Sequence, residues 1–172
     1  MQMHNYKYFE NVKKNGYFTD TPCQFCGSKE DCLDGVFFDS TDDIESICIT
    51  CFDKRKANVS VPEYIQKRVM TNRKKKVDDL QYCPPVPWIQ NNDWPVCCDD
   101  FMVFIGEWEQ EDFCRRSTNG DGKALLKELL TENLKNNVES YDALWEDLGC
   151  ETAAFVFRCS NCGKLTVICQ DY

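Results

Sequence analysis

Residues 22–51 read PCQFCGSKEDCLDGVFFDSTDDIESICITC. They open on Cys23-Gln24-Phe25-Cys26-Gly27 and close on Cys48-Ile49-Thr50-Cys51, two CxxC turns with 21 residues between them. Zn²⁺ prefers four soft or borderline ligands in a tetrahedron, and each CxxC turn brings two thiolates to it without a long-range coincidence. The separation is close to that of ribbon-type sites. Gly27 suits the first turn, because backbone folding over a metal-bound sulfur often needs a conformation costly to a residue with a Cβ. Residues 35–38 and 44–49 are strand-like, so a hairpin is expected to bring Cys23, Cys26, Cys48 and Cys51 to one zinc ion.

Further along, Cys159-Ser160-Asn161-Cys162-Gly163 repeats the knuckle between two strand-like segments, residues 154–158 and 165–169. No fourth pair follows it, so its partners must lie upstream. Cys97 and Cys98 are the first candidates for a second site, with Cys83, Cys114, Cys150 and Cys169 in reserve. Adjacent cysteines can share one ion only where the backbone bends sharply, which Pro95 and the surrounding loop permit.

The whole chain agrees with thiolate chemistry. It has 172 residues, enough for one compact domain, and its 42% hydrophobic and 28% charged composition is that of a folded protein. The first 16 residues are polar and broken by charge, and no stretch is long enough to span a bilayer, so a cytoplasmic protein is expected. A reducing compartment prevents lasting disulfides, and 13 cysteines, an odd number, then point to metal ligation. The net charge of −9 repels phosphate backbones and favours a basic protein partner, which makes nucleic acid an unlikely one. Lys67, Arg68 and Arg73 to Lys76 dissent locally, and are expected to form a solvated helix end or linker.

Between the knuckles, a helix is expected from Ser60 as cap, with Glu63 reaching back and Tyr64, Ile65, Val69 and Met70 on its apolar face. Residues 83–100, with Pro84, Pro85, Pro87 and Pro95, read as a long ordered loop pinned by Trp88, Trp94 and Trp108. Residues 101–105 resemble a buried strand, residues 124–134 a leucine-striped helix, and residues 138–148 another helix. Acidic pairs such as Asp99-Asp100 are expected in solvated loops or caps.

Catalytic templates are missing. His4 is the sole histidine, which removes HExxH and histidine-rich catalytic zinc sites, and it reads as ordinary surface. There is no GxxxxGK[ST], no Rossmann glycine fingerprint and no GxSxG. A redox couple at Cys48 and Cys51 is the rival use of a CxxC, but it leaves Cys23 and Cys26 without a purpose.

Tyr6-Lys7-Tyr8-Phe9, the two N-terminal CxxC turns, the segment from Trp88 to Gly106 and Phe155-Val156-Phe157-Arg158-Cys159-Ser160-Asn161-Cys162-Gly163-Lys164 resemble, in that order, the bacterial CbrC family. The most specific pieces are the terminal FRCxxCGK and the spaced Trp94, Cys98 and Phe104-Ile105-Gly106. The family pattern has His-Cys where this chain has Cys97-Cys98, an exchange that keeps a zinc ligand and favours placing Cys97 or Cys98 with Cys159 and Cys162. It also has a cysteine where Met102 stands, so that ligand is either dispensable here or missing. The resemblance implies a described link to colicin tolerance and no established reaction.

The expected fold is therefore α+β: a single compact domain of zinc-ribbon-like β-hairpins with packed helices. Residues 1–58 would form the zinc-ribbon-like lobe, and residues 59–172 a helical region closed by the C-terminal CxxC hairpin. The expected function is a non-enzymatic zinc-binding bacterial protein, protein-binding or protective and connected with colicin tolerance. The alternatives are a nucleic-acid-binding zinc-ribbon regulator acting through the basic cluster, and a thiol-disulfide oxidoreductase at Cys48 and Cys51.

Overall fold

Strand β6 (Thr152–Arg158) is buried at all but its last residue, so it lacks the alternating pattern of a sheet wetted on one side. The reason lies in its neighbours. In the computed structural model, which describes residues 5–40 and 42–172, β6 is the middle strand of an antiparallel sheet, between β5 (Val103–Glu107) and β7 (Leu165–Asp171). Successive side chains in a strand point to opposite faces. Ala153, Phe155 and Phe157 accordingly enter one apolar cluster, and Ala154 and Val156 a second. His4 lies outside the described residues.

The first cluster gathers Phe9, Ile47, Phe52, Ile65, Leu80 and Phe104, along with several cysteines. Strand β1 (Cys32–Asp34) pairs antiparallel with β2 (Ser46–Cys48), with Cys32 opposite Cys48. The strand expected at residues 35–38 therefore ends earlier. The Asp34 carboxylate accepts from the Val36 amide at 3.1 Å and turns Gly35–Phe37 into a 3₁₀ helix. Gly35 lies so close to the segment leading into β2 that a Cβ would stand 1.8 Å from the Ile44 carbonyl oxygen.

Helix α1 (Val12–Asn15) precedes this hairpin, and α2 (Ile49–Asp53) begins directly after Cys48. Next come α3 (Glu63–Gln66) and α4 (Arg73–Gln81). Ser60 does not cap α3: its amide donates to the Phe38 carbonyl, and Pro62 precedes the first helical residue. The expected apolar face is correspondingly split, with Ile65 and Val69 buried while Tyr64 and Met70 are exposed.

The proline-rich segment is an ordered loop, with residues 83–87 buried. The Gln170 carboxamide of edge strand β7 fastens it, accepting from the Ile89 and Gln90 amides and donating to the Asn91 carbonyl. Trp88 stacks on Phe157 with ring centroids 5.9 Å apart, and Trp94 donates its indole N–H to the Met102 carbonyl. Trp108 instead packs against Phe113 in the second cluster, so it has no part in pinning the loop.

The second cluster is built by α5 (Gln110–Arg116), α6 (Gly122–Leu129), α7 (Glu132–Asn137) and α8 (Tyr141–Asp147) against the other face of the sheet. The leucine stripe is two helices rather than one. Leu130 takes an extended conformation (ψ 146°) and bridges Val167 of β7, and Thr131 then caps α7 through its hydroxyl. The molecule is thus mixed α+β, with small antiparallel sheets and short helices. Among the described residues no helix is long and apolar enough to cross a membrane.

Candidate metal centres

Both sites start from the same local turn. In the first, the Cys23 amide donates to the Ser28 carbonyl at 2.7 Å and the Gly27 amide to the Cys23 carbonyl at 2.8 Å. In the second, the Cys159 amide donates to the Lys164 carbonyl at 2.8 Å and the Gly163 amide to the Cys159 carbonyl at 3.0 Å. Gly27 and Gly163 close these turns at φ 74° and 76°, the left-handed region that favours glycine.

The first knuckle meets the end of the β1–β2 hairpin. Strand β2 fixes it, since the Ser46 hydroxyl donates to the Pro22 carbonyl and the Gln24 amide to the Ser46 carbonyl. Cys48 ends the strand and Cys51 lies in α2. The sulfurs of Cys23, Cys26, Cys48 and Cys51 all fall within 4.8 Å of one another, with Cys26 and Cys48 at 3.6 Å. Cys23, Cys48 and Cys51 are buried; Cys26 is exposed.

The second knuckle joins β6 to β7 and faces a hairpin of β3 (Val96–Cys97) and β4 (Asp100–Phe101). Its two-residue loop, Cys98-Asp99, has φ 53° and 54°, the left-handed pair that such a tight hairpin requires. This is the sharp bend that adjacent ligands need. It turns the Cys98 sulfur back to within 3.8 Å of that of Cys97, while Cys97 and Cys162 stand 3.6 Å apart. Cys97, Cys98, Cys159 and Cys162 again lie within 4.8 Å of one another, but only Cys159 is buried.

These sulfur separations fit one tetrahedral ion. With Zn–S bonds of about 2.3 Å, adjacent sulfurs sit about 3.8 Å apart, whereas a disulfide needs about 2 Å. A multinuclear iron–sulfur cluster would spread its thiolates over several irons, farther apart than one tetrahedron's edge.

The thiols are poised unequally. Burial works against ionising Cys23, but the backbone N–H groups of Cys48, Phe25 and Cys26 outweigh it and bring the thiol down to about 6. Burial likewise opposes ionisation of Cys159, and the Cys162 and Asn161 N–H groups bring it down to about 7. Burial, reinforced by neighbouring cysteine side chains, pushes Cys48 and Cys97 up to about 12. Four thiolates this close repel one another, and a divalent cation removes that conflict.

Asp99 had no recognisable signal beyond its acidic neighbour. From the hairpin tip its carboxylate accepts from the Met70 and Thr71 amides at 2.6 and 3.0 Å, and it pairs with Lys76. The Thr71 hydroxyl and these amides hold the carboxyl well below the usual range. Cys32, which belongs to no CxxC pair, is buried beside the first tetrad, and its thiol donates to the Ser28 carbonyl at 3.2 Å. The reserve cysteines join neither tetrad. Cys83 lies under Tyr8, whose amide donates to its sulfur, while Cys114 is on α5, Cys150 beyond α8 and Cys169 on β7. Met102 is buried in the first cluster.

Four of the six residues of the basic cluster pair with acids: Lys67 with Glu63, Arg68 with Asp93, Lys75 with Asp79 and Lys76 with Asp99.

The family model described as an uncharacterised protein family, UPF0167, matches residues 3–171. No curated protein and no solved structure matches the chain.

Proposed function

The chain belongs to the UPF0167 family, and on that premise we propose that it is a non-enzymatic zinc protein whose two ions hold a surface for another protein. The observation that carries this reading is the convergence of two complete cysteine tetrads, each of a size that suits one tetrahedral ion. Four thiolates saturate zinc and leave no position for a reacting water, which favours a structural over a catalytic ion. Zinc is the metal of choice here because thiolates suit it and it brings no redox chemistry of its own.

The partner is a basic protein. Residues 128–151 carry Glu128, Glu132, Glu139, Asp142, Glu146, Asp147 and Glu151 against Lys135 alone, and most of these carboxylates are exposed. The likeness to the CbrC family extends the reading to protection of a bacterial cell from a basic colicin. Its cysteine usage supports a reducing, cytoplasmic setting for this role.

Elemental analysis of freshly purified, untagged protein tests the metal reading. Two zinc ions per chain are expected, with one lost in Cys23→Ser and one in Cys159→Ser. A metal-free protein with reversibly cycling thiols would replace this reading by thiol-disulfide exchange. Calorimetric titration with a basic colicin domain tests the partner, since the affinity should fall as salt rises from about 0.05 to about 0.5 M. Affinity indifferent to salt removes the electrostatic part of the reading.

A further inference from the structure

The second tetrad differs from the first in the access that solvent has to its sulfurs. Cys98 and Cys162 are exposed and Cys97 is half-buried, whereas three of the four sulfurs of the first site are sealed in the core. Four thiolates around a divalent cation leave a doubly negative, nucleophilic centre, and oxidation of cysteine follows thiolate character and exposure. An oxidised thiol also needs a second sulfur nearby to be resolved as a disulfide. Cys97 stands 3.6 Å from Cys162 on a different hairpin, 65 residues away in sequence. It is 3.8 Å from Cys98 as well, but that pair is adjacent, and joining it would close a small ring through the intervening peptide.

The geometry points to Cys162 as a modification site for hydroperoxides, with Cys97 as its resolving thiol and loss of the second metal ion as the outcome. This rests on the reading of the tetrads as zinc sites. The Cys162 thiolate attacks one peroxide oxygen, the O–O bond breaks, and the leaving oxygen takes a proton to depart as water or an alcohol. Cys162 is then a sulfenic acid. The Cys97 thiolate attacks its sulfur, the S–O bond breaks, and the hydroxyl leaves as water with a second proton from solvent. The two sulfurs together lose two electrons, and the peroxide gains them. Zinc, stripped of two of its four ligands, passes to solvent.

Hydrogen peroxide added to the zinc-loaded protein with a chromogenic chelator tests this. One of two zinc equivalents should leave about tenfold faster than the other, and peptide mapping of the one-zinc product should find Cys97 joined to Cys162. Cys162→His, which keeps a possible zinc ligand without an oxidisable sulfur, should hold both ions through the same treatment. A chain that binds no zinc overturns the metal reading and this inference together. Two bound ions released at equal rates, or neither released, overturn the inference alone, as does a Cys97–Cys98 product or first loss of the ion held by Cys23.

Discussion

The two cysteine tetrads share one knuckle and differ in everything around it. The first lies where the β1–β2 hairpin, α2 and the first apolar cluster meet, with Cys23, Cys48 and Cys51 counted among the core residues themselves. The second sits at the end of the three-stranded sheet, between a seven-residue hairpin pair and a two-residue turn, with one buried sulfur. The first ion would stand in for missing hydrophobic core, while the second would staple two hairpins that the sheet and the aromatic packing already hold. Identical ligand chemistry can thus carry different shares of folding free energy, because the share depends on what else fixes the ligands.

Removing one ligand from each site breaks or confirms that contrast most directly. Structural zinc sites contribute about 10–16 kcal/mol of apparent binding energy, comparable with the roughly 5–15 kcal/mol by which domains are stable. Cys48→Ser should therefore abolish the cooperative thermal transition seen by circular dichroism. Cys162→Ser should lose one zinc yet keep a cooperative transition at a lower temperature. Equal unfolding in both variants would show that the second tetrad is as indispensable as the first.

Two glycines sharpen the contrast at smaller cost. A Cβ on Gly35 would overlap the Ile44 carbonyl oxygen at 1.8 Å, which only backbone movement in the first hairpin can relieve. Gly35→Ala should cost about 3 kcal/mol in a denaturant titration. Around Gly163 no atom lies within 4 Å of the added carbon, so only the φ of 76° resists it. Gly163→Ala should cost about 1–2 kcal/mol.

What could be read in advance followed from how local each determinant is. A CxxCG turn is specified within a handful of residues, so Cys23, Cys26, Cys159 and Cys162 were legible from spacing alone. The partnership of Cys97 and Cys98 with the last knuckle was legible only as a first candidate, which the resemblance strengthened, because it rests on a left-handed turn at Cys98-Asp99 that no local rule demands. The leucine stripe was read as one helix because its 3.6-residue period continues past Leu130, whereas tertiary pairing with Val167 interrupts it there. Ser60 looked like a cap by pattern, yet its amide was claimed by the Phe38 carbonyl. The α+β class was legible since hairpin knuckles and amphipathic stripes both announce themselves locally.

Asp99 tests whether the exposed site depends on support from outside its ligands. Its carboxylate ties the Cys98-Asp99 turn to the Met70 and Thr71 amides and to Lys76 at the start of α4. Asp99→Ala should speed zinc transfer from the second site to a competing chelator and leave the first site unchanged. Unchanged transfer from both sites would mean that the four thiolates hold the turn unaided.

The smallest effect concerns the base of the same hairpin. The Tyr8 hydroxyl donates to the Asp100 carboxylate at 2.7 Å, and its ring packs edge-on to Phe101. Burial, then this hydrogen bond to an anion, holds the phenol above its ordinary value. The folded state consequently keeps a proton that the unfolded chain begins to lose near pH 10. A raised folded value contributes stability that is present below the unfolded value and declines as pH rises past it. Tyr6 and Tyr17, half-buried and donating to Asp53 and Glu107, and Tyr172, which also donates to Glu107, shift in the same direction and add to the same alkaline loss. Tyr8→Phe keeps the ring and removes the donor, so it should cost about 1 kcal/mol near neutrality. It should also make the fall of the urea midpoint between about pH 9 and 11 shallower, since one of the four raised phenols is gone. An alkaline profile as steep as the parent's would assign that loss to the other three raised tyrosines and leave Tyr8 a packing residue under the second site.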